Sequence, residues 1–213
     1  MVKDPSTRGD ALMEFVLRGF ALIVYGSFVA IVAQYWWANP GRYTLLLLLV
    51  AEGFTVMLLL FARRAVLRDA SPLAIAATAL SLSFFLFFEY AGTSRLIPEW
   101  AGATLQTFGM TWQVLAKMTL GRSFGVLPAT RGLVTRGPYR VVRHPIYLGY
   151  LIVHAGFLLS NFSLQNVLVL ALLYGAQTIR MVREEAVLKC GDQGPDYIAY
   201  CTTVRWRIVP FVF

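Results

Sequence analysis

The stretch GPYRVVRHPIYLGY, residues 137–150, sets one His, three Tyr and two Arg at the edge of a chain that is otherwise largely apolar. Proline is well suited to the first position of a helix, where its missing N–H would have no partner. The stretch therefore predicts a helix beginning at Pro145, with His144 as its N-cap and Arg143 just outside. Tyr147 and Gly149 then fall in the first turn and a half. Gly149 permits close approach of a backbone or a ligand, and Gly156 does the same two turns on. The residues that follow, IYLGYLIVHAGFLLS, are apolar enough to enter a membrane.

The rest of the chain points the same way. Of its 213 residues 58% are hydrophobic and 14% are charged, against about a quarter charged in a soluble domain. The mean hydropathy is +0.63, and a compact soluble fold of this size cannot hide that much apolar surface. Six stretches come near the roughly 20 apolar residues that cross a bilayer core: 14–37, 43–62, 72–91, 99–120, 145–160 and 164–180. The expected fold is all-α, a polytopic membrane protein of five to six helices, with a cytoplasmic C-terminal tail closing a site.

The net charge of +8 is distributed as a membrane protein distributes it. With both termini inside, 17 of the 19 basic residues lie on the cytoplasmic side, and only Arg42 and Arg95 fall on the other. That asymmetry is the positive-inside pattern. A basic surface facing anionic headgroups accounts for the charge without nucleic acid. Cys190 and Cys201 lie on the expected cytoplasmic tail, where a disulfide is disfavoured, and no Cys or His spacing suggests a metal. The polar start MVKDPSTRGDALMEF lacks the short apolar core of a cleavable signal.

One domain over 1–213 is expected, with plain spans in 1–97 and the chemistry in 98–213. An ionisable group within a span is costly and marks a function or a specific contact. Glu52 near mid-span suits a helix–helix hydrogen bond or a substrate contact, and Glu89 falls near an outer end. The span over 99–120 carries Gln106, Thr107, Thr111, Trp112 and Gln113, so it is expected to face protein or a cavity. The tight turn NFSLQN, residues 161–166, makes the last two spans antiparallel neighbours and brings their cytoplasmic ends together. His144, Tyr147, Arg180, Glu184 and Glu185 then come within reach of one pocket, with Arg180 and Glu184 four apart on one helix face. Arg and Tyr at such ends also serve as interfacial anchors, and a Glu–Arg pair at helical spacing as a solvated ion pair.

Read as a series, G-P-Y-R at 137–140, R-H-P-I-Y-L-G at 143–149, Glu184–Glu185, G-P-D-Y-I-A-Y at 194–200 and R-I-V-P at 207–210 resemble one family. It is the isoprenylcysteine carboxyl methyltransferases together with the related bacterial phospholipid methyltransferases. The resemblance covers about 117–210. It implies an S-adenosylmethionine-dependent membrane methyltransferase acting on a lipophilic small molecule or a lipidated substrate. By the resemblance, Tyr139, His144, Pro145, Tyr147, Gly149, Glu184 and Glu185 contact the cofactor. Arg143, Arg180 and Glu184 are the residues implied to act on the substrate.

The chemistry of the cofactor suits these residue types. A Glu pair can accept from an ammonium or from ribose hydroxyls, and a His at a helix N-terminus beside an Arg suits a carboxylate. Methyl transfer asks mainly for alignment and exclusion of water. A carboxylate acceptor needs no base, whereas a protonated amine does. Carboxyl methylation of an isoprenylcysteine type is the leading expectation and a phospholipid amine the alternative. An NADPH-dependent membrane sterol reductase, a class that resembles the same C-terminal helices and tail but is usually much longer, and a non-enzyme, a small transporter or assembly factor, are the remaining readings. No G-x-G-x-x-G or H-E-x-x-H occurs; GRSFG, residues 121–125, spells G-x-S-x-G around Ser123, but in a polar connector between expected membrane helices rather than in the strand-to-helix turn that motif requires. His154, in an apolar stretch, is expected to be a packed, hydrogen-bonded histidine.

Overall fold

The structure, a computed structural model, describes residues 8–61, 71–120, 133–190 and 193–212. Ser123, named above, lies outside the described residues, as do Lys3, Arg63, Arg64, Arg68, Arg122 and Arg131, six of the 17 basic residues counted on the cytoplasmic side. Among the described residues seven α-helices follow in order: α1 Arg8–Ala38, α2 Tyr43–Phe61, α3 Pro72–Ser83, α4 Glu99–Leu120, α5 Pro145–Ser160, α6 Leu164–Cys190 and α7 Gly194–Thr203. Short 3-10 turns occupy Phe84–Phe87 and Gly137–Arg140. Among the described residues the fold is all-helical, with one isolated bridge between Ser94 and Phe162.

Helix starts and stops match the sequence closely where punctuation is strong. Proline opens α3 at Pro72 and α5 at Pro145, and it stands second in α7 behind Gly194. The expected 72–91 span is shorter as an α-helix than its apolar run. It ends at Ser83, tightens through Phe84–Phe87 and leaves Glu89 beyond the helix. Aromatic packing explains the change, because Phe84, Phe85 and Phe88 all turn into the core, where Phe88 stacks on Phe157 at 4.6 Å. Conversely, α6 runs on past 180 to Cys190 and carries Arg180, Glu184 and Glu185 on its extension.

Arg18–Ala38 of α1 is, among the described residues, the one segment long and apolar enough to cross a membrane by itself. Tyr43–Met57, Ile75–Phe87 and Pro145–Ser160 are shorter apolar helices.

The closest pairing is α4 against α5, antiparallel and backbone to backbone. Gly102 faces Gly156 and Gly109 faces Gly149, each pair seven residues from the next. A Cβ on Gly156 would sit 2.6 Å from the Gly102 carbonyl oxygen, and one on Gly149 would sit 2.3 Å from the Gln113 side chain. Trp112 pins the lower end by donating from Nε1 to the Pro145 carbonyl at 2.9 Å.

The opposite end is tied by a polar knot around the 161–166 turn. Arg42 donates to Asn161 Oδ1 at 2.6 Å and to the Tyr90 carbonyl at 2.7 Å. Asn161 donates to Thr44 at 3.0 Å, and Thr44 donates to Glu99 at 2.6 Å. Asn166, fully buried, accepts from the Glu89 N–H and donates to the Glu89 and Asn161 carbonyls. This knot holds α2, α4, α5 and α6 in register, so the other ends of α5 and α6 meet in a fixed geometry.

Candidate functional site

The site is built where the proline-started end of α5, the extension of α6 and the last residues of the chain meet. Glu185 is its centre, with a side chain 3% exposed. Three donors converge on its Oε1: Arg143 Nε at 3.1 Å, His144 Nε2 at 3.3 Å and Arg207 Nε at 3.2 Å. Arg207 also donates to Oε2 at 3.3 Å, making a two-point clasp. Burial alone would push the Glu185 carboxyl up. The hydrogen bonds from His144 and Arg207 and the charges of His144 and Arg143 outweigh it and hold its pKa at about 2. Glu185 is therefore a carboxylate at any physiological pH.

Backbone pairing places these side chains. The N–H groups of Arg143 and His144 donate to the carbonyls of Trp206 and Arg207 at 2.9 and 2.8 Å. The tail thus runs alongside the residues that cap α5. Gly137 turns the chain into this segment with φ +60, in the left-handed region that favours glycine. A Cβ there would also crowd Thr119 of α4 at 3.1 Å. Tyr200 of α7 donates to the Tyr139 carbonyl at 2.6 Å. Burial, and next the Glu184 carboxylate, push the Tyr139 phenol well above its ordinary value, so it stays a neutral donor.

The structure brings Arg143, His144 and Glu185 into direct contact, with Tyr139 held alongside through Tyr200. The Tyr147 ring meets His144 edge-on at 5.6 Å and packs with Met181 and Ile208. Arg180 donates to Gln177 at 3.2 Å, and its guanidinium lies 6.0 Å from the Tyr147 ring centre. Glu184 is the half-buried neighbour of Glu185, in electrostatic reach of Tyr139 and Tyr147. Pro145 gives its carbonyl to Trp112. Gly149 faces away toward α4, and the space its missing side chain leaves is filled by Gly109 and Gln113. His144 caps α5 by position while its ring turns to Glu185, with no side-chain bond to the helix N-terminus.

Two features escaped the sequence. Arg207 was visible only as the start of R-I-V-P, and its bond to a residue 22 positions earlier has no local signal. Lys117, counted above among the cytoplasmic charges, is buried inside the bundle, 4% exposed. It donates to Gln113 at 3.2 Å and to Thr55 at 3.3 Å. The i, i+4 spacing from Gln113 on an already polar helix was the available clue.

Taken together, these helices present a buried, positively surrounded carboxylate at the end of an apolar bundle, next to a second acidic side chain. Residues 98–190 match the family model described as phospholipid methyltransferase, a family of membrane enzymes that transfer methyl groups. That segment runs from the start of α4 to the end of α6, so the resemblance seen in the motifs is borne out there. Arg207 and α7 lie outside the matched segment. No curated protein matches the chain.

Proposed function

We propose that the protein is an S-adenosylmethionine-dependent methyltransferase whose acceptor is a membrane lipid, with the cofactor held at the Glu185 hub. The observation carrying this reading is the surplus of donors around Glu185. Three donors share one carboxylate oxygen, more than its lone pairs accommodate, and Arg143 Nε lies close without the alignment of a hydrogen bond. Two arginines against one carboxylate leave net positive charge, which fits the carboxylate of an amino-acid cofactor. Glu184, half-buried beside them, fits an ammonium or a ribose hydroxyl pair. The residues present therefore suit the group.

When bound, S-adenosylmethionine supplies a methyl group activated by a sulfonium. The chain's own residues bind, orient and keep water out. Arg143 and His144 hold the anionic end, Glu184 the polar hydrogens, and Tyr139 and Tyr147 wall the site. Arg180 stands on the acceptor side of Tyr147. Glu185 acts on the cofactor through the cations it positions, and Gly149 acts through the packing of α5 on α4. Arg207 and the tail close the site.

The chain is read as one multi-pass membrane domain of five to six helices with both termini cytoplasmic. The charge asymmetry supports this, as does the membrane character of the matched family. The family description favours a phospholipid amine as acceptor. Lys117, a buried ammonium in the same bundle, favours a carboxylate of the isoprenylcysteine type, and that is the second reading. The test is to incubate the purified protein in vesicles with methyl-labelled S-adenosylmethionine. One set of vesicles carries phosphatidylethanolamine and the other a prenylated cysteine. Label in either lipid supports the reading and identifies the acceptor; label in neither contradicts it.

A further inference from the structure

Inside the bundle, ionisable groups find one another: His154 meets the Tyr174 hydroxyl at 2.9 Å and faces Glu52 at 3.5 Å. The tail beyond Arg207 does the opposite and turns apolar side chains outward. It starts on the bundle. Ile208 packs with Tyr147 of α5 and Met181 of α6, and Val209 lies on the same cluster as Leu148, Tyr150 and Leu151. Met181 is one helical turn from Glu185 toward the bundle, and Leu151 lies six residues, about 9 Å, into α5. The tail therefore leaves the level of the hub in the direction of the apolar helices.

A tight turn follows. The Val212 N–H donates to the Val209 carbonyl at 3.2 Å, around Pro210 and Phe211. Proline fixes the first central position. Phe211 takes the second at φ 67, the left-handed conformation that such turns give to glycine. The other described residues with positive φ are Gly92 and Gly137. Phe211 is 86% exposed and Val212 77%, and the Phe211 ring meets that of Trp206 at 5.3 Å.

In water this arrangement is unfavourable twice over. A bulky residue in the left-handed region costs backbone energy, and its aromatic surface stays wet. A turn kept for its shape alone would carry glycine here, so phenylalanine calls for an apolar medium around it. The flanking side chains say which. Arg205 is exposed just before the turn, as are Arg136 and Arg140 on the segment leading into α5, and Trp206 is half-buried. Arginine, then tryptophan, then an apolar turn directed at the bundle is the order of a headgroup layer with hydrocarbon beneath it. The turn is also continuous with the apolar helices of a fold matched to membrane enzymes.

We propose that residues 208–212 are a membrane anchor, inserted into the leaflet on the hub's side of the bilayer, and that it holds Arg207 on Glu185 from the lipid side. The anchor involves no cofactor and stands apart from the reaction the site performs.

The test uses the full chain carrying Cys190→Ser and Cys201→Ser, in vesicles of phosphatidylcholine and phosphatidylglycerol. A nitroxide is attached at Val212→Cys, which leaves Phe211 in place, or at Asp196→Cys on the exposed side of α7. Spin relaxation by oxygen, which concentrates in hydrocarbon, is compared with relaxation by a nickel chelate confined to water. Oxygen should dominate at 212 and nickel at 196. Phe211→Gly relieves the backbone and removes the ring, so the 212 label should shift toward nickel, whereas Phe211→Leu should leave it with oxygen. Arg207 is itself a trypsin site, which reads the hold on Glu185. With the hub facing outward, cleavage after Arg207 should be faster in Phe211→Gly than in wild type and unchanged in Phe211→Leu.

A wild-type label at 212 that meets nickel as readily as the label at 196 overturns the anchor, whatever the cofactor proves to be. Equal cleavage after Arg207 in wild type and Phe211→Gly overturns the hold on the hub.

Discussion

Glu185 concentrates the electrostatics of the site into one side chain. Its carboxyl is held at about 2, below the ordinary carboxylate value of about 4.3. The stability it contributes is therefore fully present above that ordinary value and is lost as pH falls toward 2. Thermal unfolding in detergent should show wild type weakening through that acid window, with Glu185→Gln flat across it. At neutral pH the same substitution leaves Arg143 and Arg207 without their shared anion and should cost about 3 kcal/mol. An equal acid response in both proteins would remove Glu185 from the centre of the account. His144, Arg143 and the Glu pair were legible in the sequence because they sit in ordered motifs with helical spacing. Glu184 and Glu185 are adjacent, and only the fold shows that Glu185 turns to the arginines while Glu184 stays half-exposed.

At the level of elements, the α4–α5 pair and the 161–166 knot set the geometry that the site inherits. Gly156→Ala would drive a methyl against the Gly102 carbonyl and should destabilise by about 1–3 kcal/mol. Gly175 of α6 has nothing within 4 Å of where a Cβ would lie. Gly175→Ala should accordingly be neutral, or stabilise by up to about 1 kcal/mol from helix propensity alone. Equal effects of the two substitutions on unfolding temperature would refute the backbone contact. Asn166→Ala strips partners from buried backbone groups of Glu89 and Asn161, and a loss of about 2 kcal/mol is expected in the same assay. Helix bounds were legible where proline marked them, as at Pro145. The break after Ser83 was not, because an apolar run reads alike as one long helix or as a helix followed by a core-facing 3-10 turn. Gly149 was read as allowing close approach of a backbone or a ligand; the backbone is that of α4, a contact between residues 40 apart whose partner no local pattern carries.

For the molecule as a whole, the arrangement places charged and apolar chemistry at one boundary. The Glu185 hub lies where the basic ends of α5 and α6 meet the tail, at the end of the apolar bundle. Lys117 shows how the charge count alone overstates the basic surface, since that ammonium is directed inward between Phe54 and Tyr150. The proposed topology, with both termini cytoplasmic, rests on the remaining charges and has a simple check. Cys190 is exposed on the last turn of α6. A membrane-impermeant maleimide should label it in inverted membrane vesicles and fail to label it in intact cells. Labelling from outside would invert the orientation and with it the face on which the cofactor binds.

The most direct test of the central claim, that the hub holds the cofactor, is calorimetric binding of S-adenosylhomocysteine to detergent-purified protein. Wild type should bind at micromolar strength, and His144→Ala and Glu184→Ala should each weaken binding about tenfold or more through lost charge-assisted contacts. A well-folded wild type that shows no binding, or two variants that bind as tightly as wild type, would contradict the account.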